Sequence, residues 1–247
     1  MKCAVLADIH ANLEATEAAI SFLQKEGISR IIILGDIIGY GASPVECLNI
    51  VRSIQASCLR GNHEEAAITG AYETFSTNAS ACIKWTITQL NDSLLQYISS
   101  WPEKLDTHAF FACHGSPLHL LSGYIHTRSR AYKVFQETSF PLIFYGHTHF
   151  PLAFSFDPES GLPPKIIAPA PGGTLCIRFE PHLRYLVNTG SVGQPRDGIP
   201  AVCCGIFDSD QKEFSLHRIP YDWKSAAEKI EKAGLPSFVA QRLSKGV

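Results

Sequence analysis

Ile31-Ile32-Ile33-Leu34 presents apolar side chains to both faces of any strand it forms, so that strand has to be covered on both sides. Residues 3–7 and Leu142–Tyr145 are short runs of the same kind, and helical periodicity fills the gaps between such runs. From about Asn12, the residues Leu13, Ala15, Ala18, Ala19, Phe22 and Leu23 make an apolar stripe that Gly27 ends. Ser43-Pro44-Val45-Glu46 reads as a helix start, with serine as N-cap, proline at the first helical position and glutamate at the capping-box position. Ser57-Cys58-Leu59 is a third, short strand. Helices are predicted between Glu64 and Ser100, where Trp101-Pro102 stops them. Strands return at Thr107–Cys113 and Pro141–Tyr145, with a helix around Arg128–Gln136 between them. The alternation predicts a large α/β unit of strands linked by crossover helices.

Beyond residue 150, Pro158, Pro163, Pro164, Pro169 and Pro171 with Gly161, Gly172 and Gly173 break up any long element. Extended segments near 174–180, 183–188, 201–207 and 213–219 follow at hairpin-like spacing and predict a second, partly antiparallel sheet. Two helices beginning near Asp222 and Pro236 close the chain. No repeat or linker divides it, so residues 1–247 are read as one domain, and hydrophobic residues at 45% suffice to bury its core.

Lys plus Arg total 21 against 23 for Asp plus Glu, a formal charge of -2 that exerts no general pull on nucleic acid or an anionic membrane. No apolar stretch approaches the ~20 residues of a membrane span. The start Met1–Asp8 meets a carboxylate too early for a signal-peptide core, which predicts a cytoplasmic protein. The eight cysteines fall singly except for Cys203-Cys204 and form no C-x-x-C pair, so reduced core thiols are expected rather than disulfides or a thiolate zinc site.

The chemistry gathers in five polar clusters, each following an apolar run: Asp8-Ile9-His10, Gly35-Asp36, Gly61-Asn62-His63-Glu64, His114-Gly115 and Gly146-His147-Thr148-His149. All fall at carboxyl ends of predicted strands, the edge where ligand sites form in open α/β sheets. Each cluster alone has a plain structural explanation as a turn or a helix cap. Together they offer two carboxylates, one carboxamide and four or five imidazoles, a donor set suited to Mn, Fe or Zn, with a carboxylate able to bridge two ions. Two divalent ions bring four positive charges, of which Asp8, Asp36 and a bridging hydroxide remove three. The centre would stay positive, attract a phosphate and turn a bridging water into a nucleophile near neutral pH. His63, beside a ligand but free of metal, would protonate the leaving group or polarise its bond.

The set D-x-H, G-D, G-N-H-[DE], H and G-H-x-H, carried by Asp8/His10, Gly35/Asp36, Gly61–Glu64, His114 and Gly146–His149, resembles that of the calcineurin-like metallophosphoesterases. The resemblance implies an α+β fold, a four-layer α/β/β/α sandwich of two mixed β-sheets with helices outside and a dinuclear centre at one end. It implies one metal on Asp8, His10, Asp36 and His149, the other on Asp36, Asn62, His114 and His147, with Asp36 bridging and His63 as the catalytic histidine. The ions expected are two divalent metals, manganese or iron first, with zinc, nickel or magnesium as alternatives.

Gly35–Gly41, Pro44-Val45-Glu46-Cys47 and Asn188–Asp197 resemble a small bacterial and archaeal branch of single-domain phosphoesterases, some of which cleave dinucleoside polyphosphates while others act broadly on phosphodiesters or phosphomonoesters. The turn Asn188-Thr189-Gly190-Ser191-Val192-Gly193 could offer backbone N–H groups, and Arg196 a bidentate guanidinium, to a phosphate. Protein Ser/Thr phosphatases of the superfamily continue the second motif as G-D-x-x-D-R; here Gly39 and Tyr40 stand in those places, which argues against a protein phosphatase. The partner orienting His63 is then Glu64 or a backbone carbonyl, and Tyr40 either packs or stacks on substrate. His119 and His126 are read as surface loop residues outside the site, and segment 116–140 as a candidate lid. The expected function is hydrolysis of a small-molecule phosphate ester, phosphoanhydride or nucleotide, with no membrane or nucleic-acid partner. A nuclease and a non-catalytic metal-binding scaffold are the alternatives.

Overall fold

A computed structural model describes residues 2–170 and 172–247; Met1 and Pro171, the latter one of the prolines expected to interrupt the second half, lie outside the described residues. The first half runs β1 (Lys2–Leu6), α1 (Leu13–Lys25), β2 (Ile31–Ile33), α2 (Pro44–Ser53), β3 (Ser57–Cys58), α3 (Asn62–Thr69), α4 (Thr77–Gln89), α5 (Asp92–Ser99), β4 (Lys104–Asp106), β5 (Phe111–Cys113), α6 (Arg128–Glu137) and β6 (Leu142–Tyr145). The second half adds β7 (Pro151–Phe156), β8 (Lys165–Ile167), β9 (Leu175–Arg178), β10 (Arg184–Thr189), β11 (Val202–Asp208), β12 (Glu213–Ile219), α7 (Trp223–Lys232) and α8 (Ser237–Leu243).

Two mixed six-stranded sheets result, in the orders β3-β2-β1-β11-β12-β9 and β4-β5-β6-β10-β7-β8. Ala4 and Leu6 of β1 point to the layer holding α1 and α2, while Cys3 and Val5 meet Ala112, Phe144 and Val187 of the other sheet. On the far face of that second sheet, Phe111, Ile143 and Tyr145 pack on Ala131, Val134 and Phe135 of α6. The strict alternation of β-strand side chains therefore builds helix, sheet, sheet and helix layers, the architecture implied by the motifs.

Some expectations change. Thr107–Cys113 is not one strand but the turn and second arm of a β4–β5 hairpin: Thr107 Oγ1 accepts the N–H groups of Ala109 and Phe110 and ends the extended run. Ser43 stands at the N-cap of α2, but its side chain makes no cap hydrogen bond; its N–H donates to Ala11 O instead. The late strands do not form a sheet of their own. β11 pairs antiparallel with β1, whereas β10 lies between β6, parallel, and β7, antiparallel. The chain thus crosses from one sheet to the other between Thr189 and Val202. β7 and β8 were not expected at all. Seven of the eight cysteines are buried free thiols, Cys176 being exposed. Among the described residues, no helix is long and apolar enough to cross a membrane.

Candidate metal centre

The five clusters converge. Asp8 and His10 follow β1, Asp36 follows β2, Asn62 and His63 open α3 after β3, His114 follows β5, and His147 and His149 follow β6. Asp8, His10, Asp36, Asn62 and His63 come from one sheet, and His114, His147 and His149 from the other. Hydrogen bonds stitch the two edges: His147 N–H donates to both carboxylate oxygens of Asp8 (3.2 and 3.1 Å), and His114 Nδ1 lies 2.8 Å from Leu34 O.

Asp8, His10, Asp36, His147 and His149 all hold positive φ, between 50° and 65°, in the left-handed region that side chains other than glycine rarely occupy. Such strain persists only where surrounding structure enforces it, and here it turns five side chains inward. At Gly61 the reason is close approach, since a Cβ there would stand 2.2 Å from Asp36 Oδ1.

Asp8, His10 and His149 place ligand atoms within 4.8 Å of one another, as do Asp36, His114 and His147. In the first group His10 Nδ1 faces Ile38 O at 3.2 Å and His149 Nδ1 faces Gln194 O at 2.7 Å. A carbonyl only accepts, so these nitrogens carry the protons and both Nε2 atoms present lone pairs. Those lone pairs lie 3.1 Å apart, with Asp8 Oδ1 at 3.8 and 3.5 Å. Burial holds both imidazoles well below their ordinary pKa, so neither takes up a proton to relieve the contact. Two imidazole lone pairs and the Asp8 carboxyl, which burial pushes up to about 7, face one another as the ligands of a cation would.

In the second group His114 Nε2 lies 3.2 Å from Asp36 Oδ2, 3.0 Å from Asn62 Oδ1 and 3.1 Å from His147 Nδ1. Burial opposes charge on His114, yet the Asp36 carboxylate pushes it up to about 9: a proton occupies the place where these acceptors call for positive charge. His147, lowered to about 3 by burial and then by His114, keeps a buried Nε2 with no hydrogen-bond partner. Asp36 Oδ2 also lies 3.7 Å from His10 Nε2, which puts this carboxylate between the two groups.

His63 is buried, its Nε2 3.9 Å from Asp36 Oδ2, and its Nδ1 makes no hydrogen bond. Neither partner expected to orient it, Glu64 or a backbone carbonyl, bonds Nδ1 among the described residues. Glu64 accepts the N–H groups of Asp36, Ile37, Ile38 and Gly61, at 2.7 to 3.1 Å, and so clamps the turn that presents Asp36. Gly39 accounts for the position of the ring: φ is +84°, and a Cβ would come 2.1 Å from His63 Nδ1. The turn 188–193 is corrected too. Three of its N–H groups are taken inside the protein, Gly190 N by Asn188 Oδ1, Val192 N by Ala7 O and Gly193 N by Asp8 O, and so are not offered to a phosphate. The turn braces Asp8 instead, through Ser191 Oγ to Asp8 O at 2.7 Å.

Asp36, His63, Arg196 and Tyr40 line one cleft of about 410 Å³. Tyr40 packs edge-on to His10 and tilted against His63, ring centroids 4.7 and 4.8 Å apart. Arg196 makes no ion pair among the described residues, because the adjacent Asp197 pairs with Arg218. Residues that sequence reasoning missed complete the wall: Phe75 against His63 at 5.2 Å, Tyr124 over His147 at 4.1 Å, and Arg242 of α8. Ser122 and Tyr124 bring segment 116–140 to the cleft, while His126 only packs on Tyr124 at 6.1 Å and His119 lines a separate depression.

The sequence model of the calcineurin-like phosphoesterase superfamily domain matches residues 1–212. An uncharacterized protein of Methanocaldococcus jannaschii is 33% identical over 258 residues, spanning 98% of this chain and 97% of its own. The crystal structure of a metallophosphoesterase from Sphaerobacter thermophilus superposes with a TM-score of 0.87 at 34% identity, covering 100% of this chain and 99% of that one. A hypothetical protein from Pyrococcus horikoshii OT3 shares the fold, with a TM-score of 0.79 at 21% identity over 100% of this chain and 98% of its own.

Proposed function

The chain belongs to the calcineurin-like phosphoesterase superfamily, and on that premise we propose that it is a dinuclear metal-dependent hydrolase of small phosphate esters or phosphoanhydrides, working as a single domain. The observation that carries this is the pair of buried acceptor groups meeting at Asp36: Asp8, His10 and His149 on one side, Asn62, His114 and His147 on the other. These seven residues would hold two divalent ions, manganese or iron, with Asp36 shared. When bound, the ions would supply Lewis-acid charge that orients phosphoryl oxygens and makes the attacking water more acidic.

The chain's own groups do the rest. His10, His114 and His149 are fixed by their Nδ1 contacts to backbone carbonyls, so their Nε2 atoms need no reorganisation. His63, lowered to about 4 by burial, is neutral at pH 7 and serves first as a hydrogen-bond donor. The negative charge of an arriving phosphate raises its affinity for a proton, so that it takes one from solvent and passes it to the departing oxygen. Arg196 offers its guanidinium to a phosphate oxygen without having to leave a carboxylate. Tyr40 holds the rings of His10 and His63 apart from solvent. A cleft of about 410 Å³ suits a small substrate.

The test is hydrolysis of bis-p-nitrophenyl phosphate by protein reconstituted with manganese or iron. His63→Ala should lose about 100-fold or more in kcat, in the range of general acid catalysis, while keeping its metal. Equal activity in the mutant removes His63 from the mechanism, and no turnover on any phosphate substrate favours a binding protein. Degradation of single-stranded RNA or DNA under the same conditions would establish a nuclease.

A further inference from the structure

Arg242 enters the cleft from α8, beyond residues 1–212 that the family model matches. Gln194 is buried, and its backbone C=O faces His149 Nδ1 at 2.7 Å. Its side-chain Oε1 accepts from Arg196 Nη2 at 2.9 Å and from Arg242 Nη1 at 3.3 Å. One neutral oxygen thus holds two guanidiniums. Arg196 makes no ion pair with a carboxylate among the described residues: its Nε is buried without a partner, and Asp197 is taken by Arg218, while Arg242 Nε donates to the main-chain oxygen of Val247.

Two half-buried like charges this close repel, and burial with the Arg196 charge pushes Arg242 down to about 10. An anion between them would lower that cost. Arg196 is among the charges that act on Asp8, His10, His63, His147, His149 and Tyr40, and Arg242 is among those that act on Tyr40. Gln194, whose backbone C=O meets His149, thus gathers Arg196 and Arg242 at the edge of the metal-ligand cluster in one cleft.

We propose that Arg242 is a specificity-determining residue: with Arg196 it binds a second anionic group, next to the phosphoryl group attacked, so that the protein prefers ligands carrying two adjacent phosphates over those carrying one. This rests on the phosphoesterase reading for the position of the first phosphate. A guanidinium grips a second phosphate through charge-assisted hydrogen bonds in fork geometry, which lysine reproduces only as a point charge.

The test compares ADP with AMP, in which adenosine is common and cancels. Each is measured as an inhibitor of bis-p-nitrophenyl phosphate hydrolysis at fixed metal concentration, and by calorimetric binding to metal-free protein. Wild type should favour ADP by about tenfold or more, the scale of a charged hydrogen bond. Arg242→Gln should collapse that preference to within about threefold, and Arg242→Lys should restore part of it. A variant whose thermal unfolding matches wild type yet keeps the full ADP preference overturns the proposal, as does an equal loss for both nucleotides. Loss of preference in calorimetry without any hydrolysis by wild type would support the anion clamp while refuting the phosphoesterase reading, so the two failures are distinguishable.

Discussion

Replacing Glu64 by alanine strands four backbone donors at once. Glu64 Oε1 accepts from Ile37 and Ile38, and Oε2 from Asp36 and Gly61, all inside the protein. A buried donor left without an acceptor costs about 1–3 kcal/mol. Water entering the space of the lost side chain would satisfy part of the set, so Glu64→Ala should lose about 4 kcal/mol. For a chain of 247 residues that corresponds to a fall of about 8–16 °C in the unfolding midpoint. Glu64→Gln keeps one oxygen and turns an amide N–H₂ against the other pair of donors, and should lose about half as much. Burial, then Asp36, pushes Glu64 up to about 7 while its N–H partners pull the other way, so the melts belong at pH 8, where the carboxylate is charged. Thermal unfolding of metal-free protein followed by circular dichroism is the assay. An alanine variant within about 1 kcal/mol of wild type, or one equal to the glutamine variant, would refute the clamp.

Gly39→Ala meets both a left-handed backbone and His63 Nδ1 at 2.1 Å, so it should lower kcat about tenfold or more through displacement of the ring, with metal content retained. Kinetics and metal analysis on the same preparation check this, and unchanged kcat would contradict it. Metal-free protein should lose stability as pH falls from 6.5 to about 4.5. In that window the unfolded chain protonates His10, His63, His147 and His149, which burial keeps neutral in the fold, and these four outnumber Asp8 and Glu64, whose folded forms hold protons up to about 7. More protons on the unfolded chain means stability rising with pH, so a midpoint that climbs on acidification would refute the burial argument.

The metal-ligand candidates were legible because this chemistry demands particular residue types at the ends of strands, and those ends are marked by short apolar runs such as Ile31–Leu34. The helices beginning near Asp222 and Pro236 were legible too, and Asp222 caps α7 by accepting the Ser225 N–H. What was not legible depends on packing across the chain. β7 begins at Pro151 and buries both Ala153 and Phe154, so it shows no polar alternation, and β8 is three residues long and partly exposed. The insertion of β10 between β6 and β7 leaves no local trace, because pairing between distant strands is decided by the whole core. Glu64 looked like a helix-cap residue or a partner of His63; only the three-dimensional turn at 36–38 reveals four donors around it. Arg242 and Tyr124 carry no motif, and the fold alone brings them to His63 and His147.

Metal stoichiometry of Asp36→Asn tests the central claim most directly. Reconstituted wild type should bind two divalent ions per chain, and the Asp36→Asn variant, folded by circular dichroism, should lose affinity for both together because one carboxylate serves each. A wild type that binds a single ion, or a variant that keeps one site at full affinity, would contradict a shared centre at Asp36.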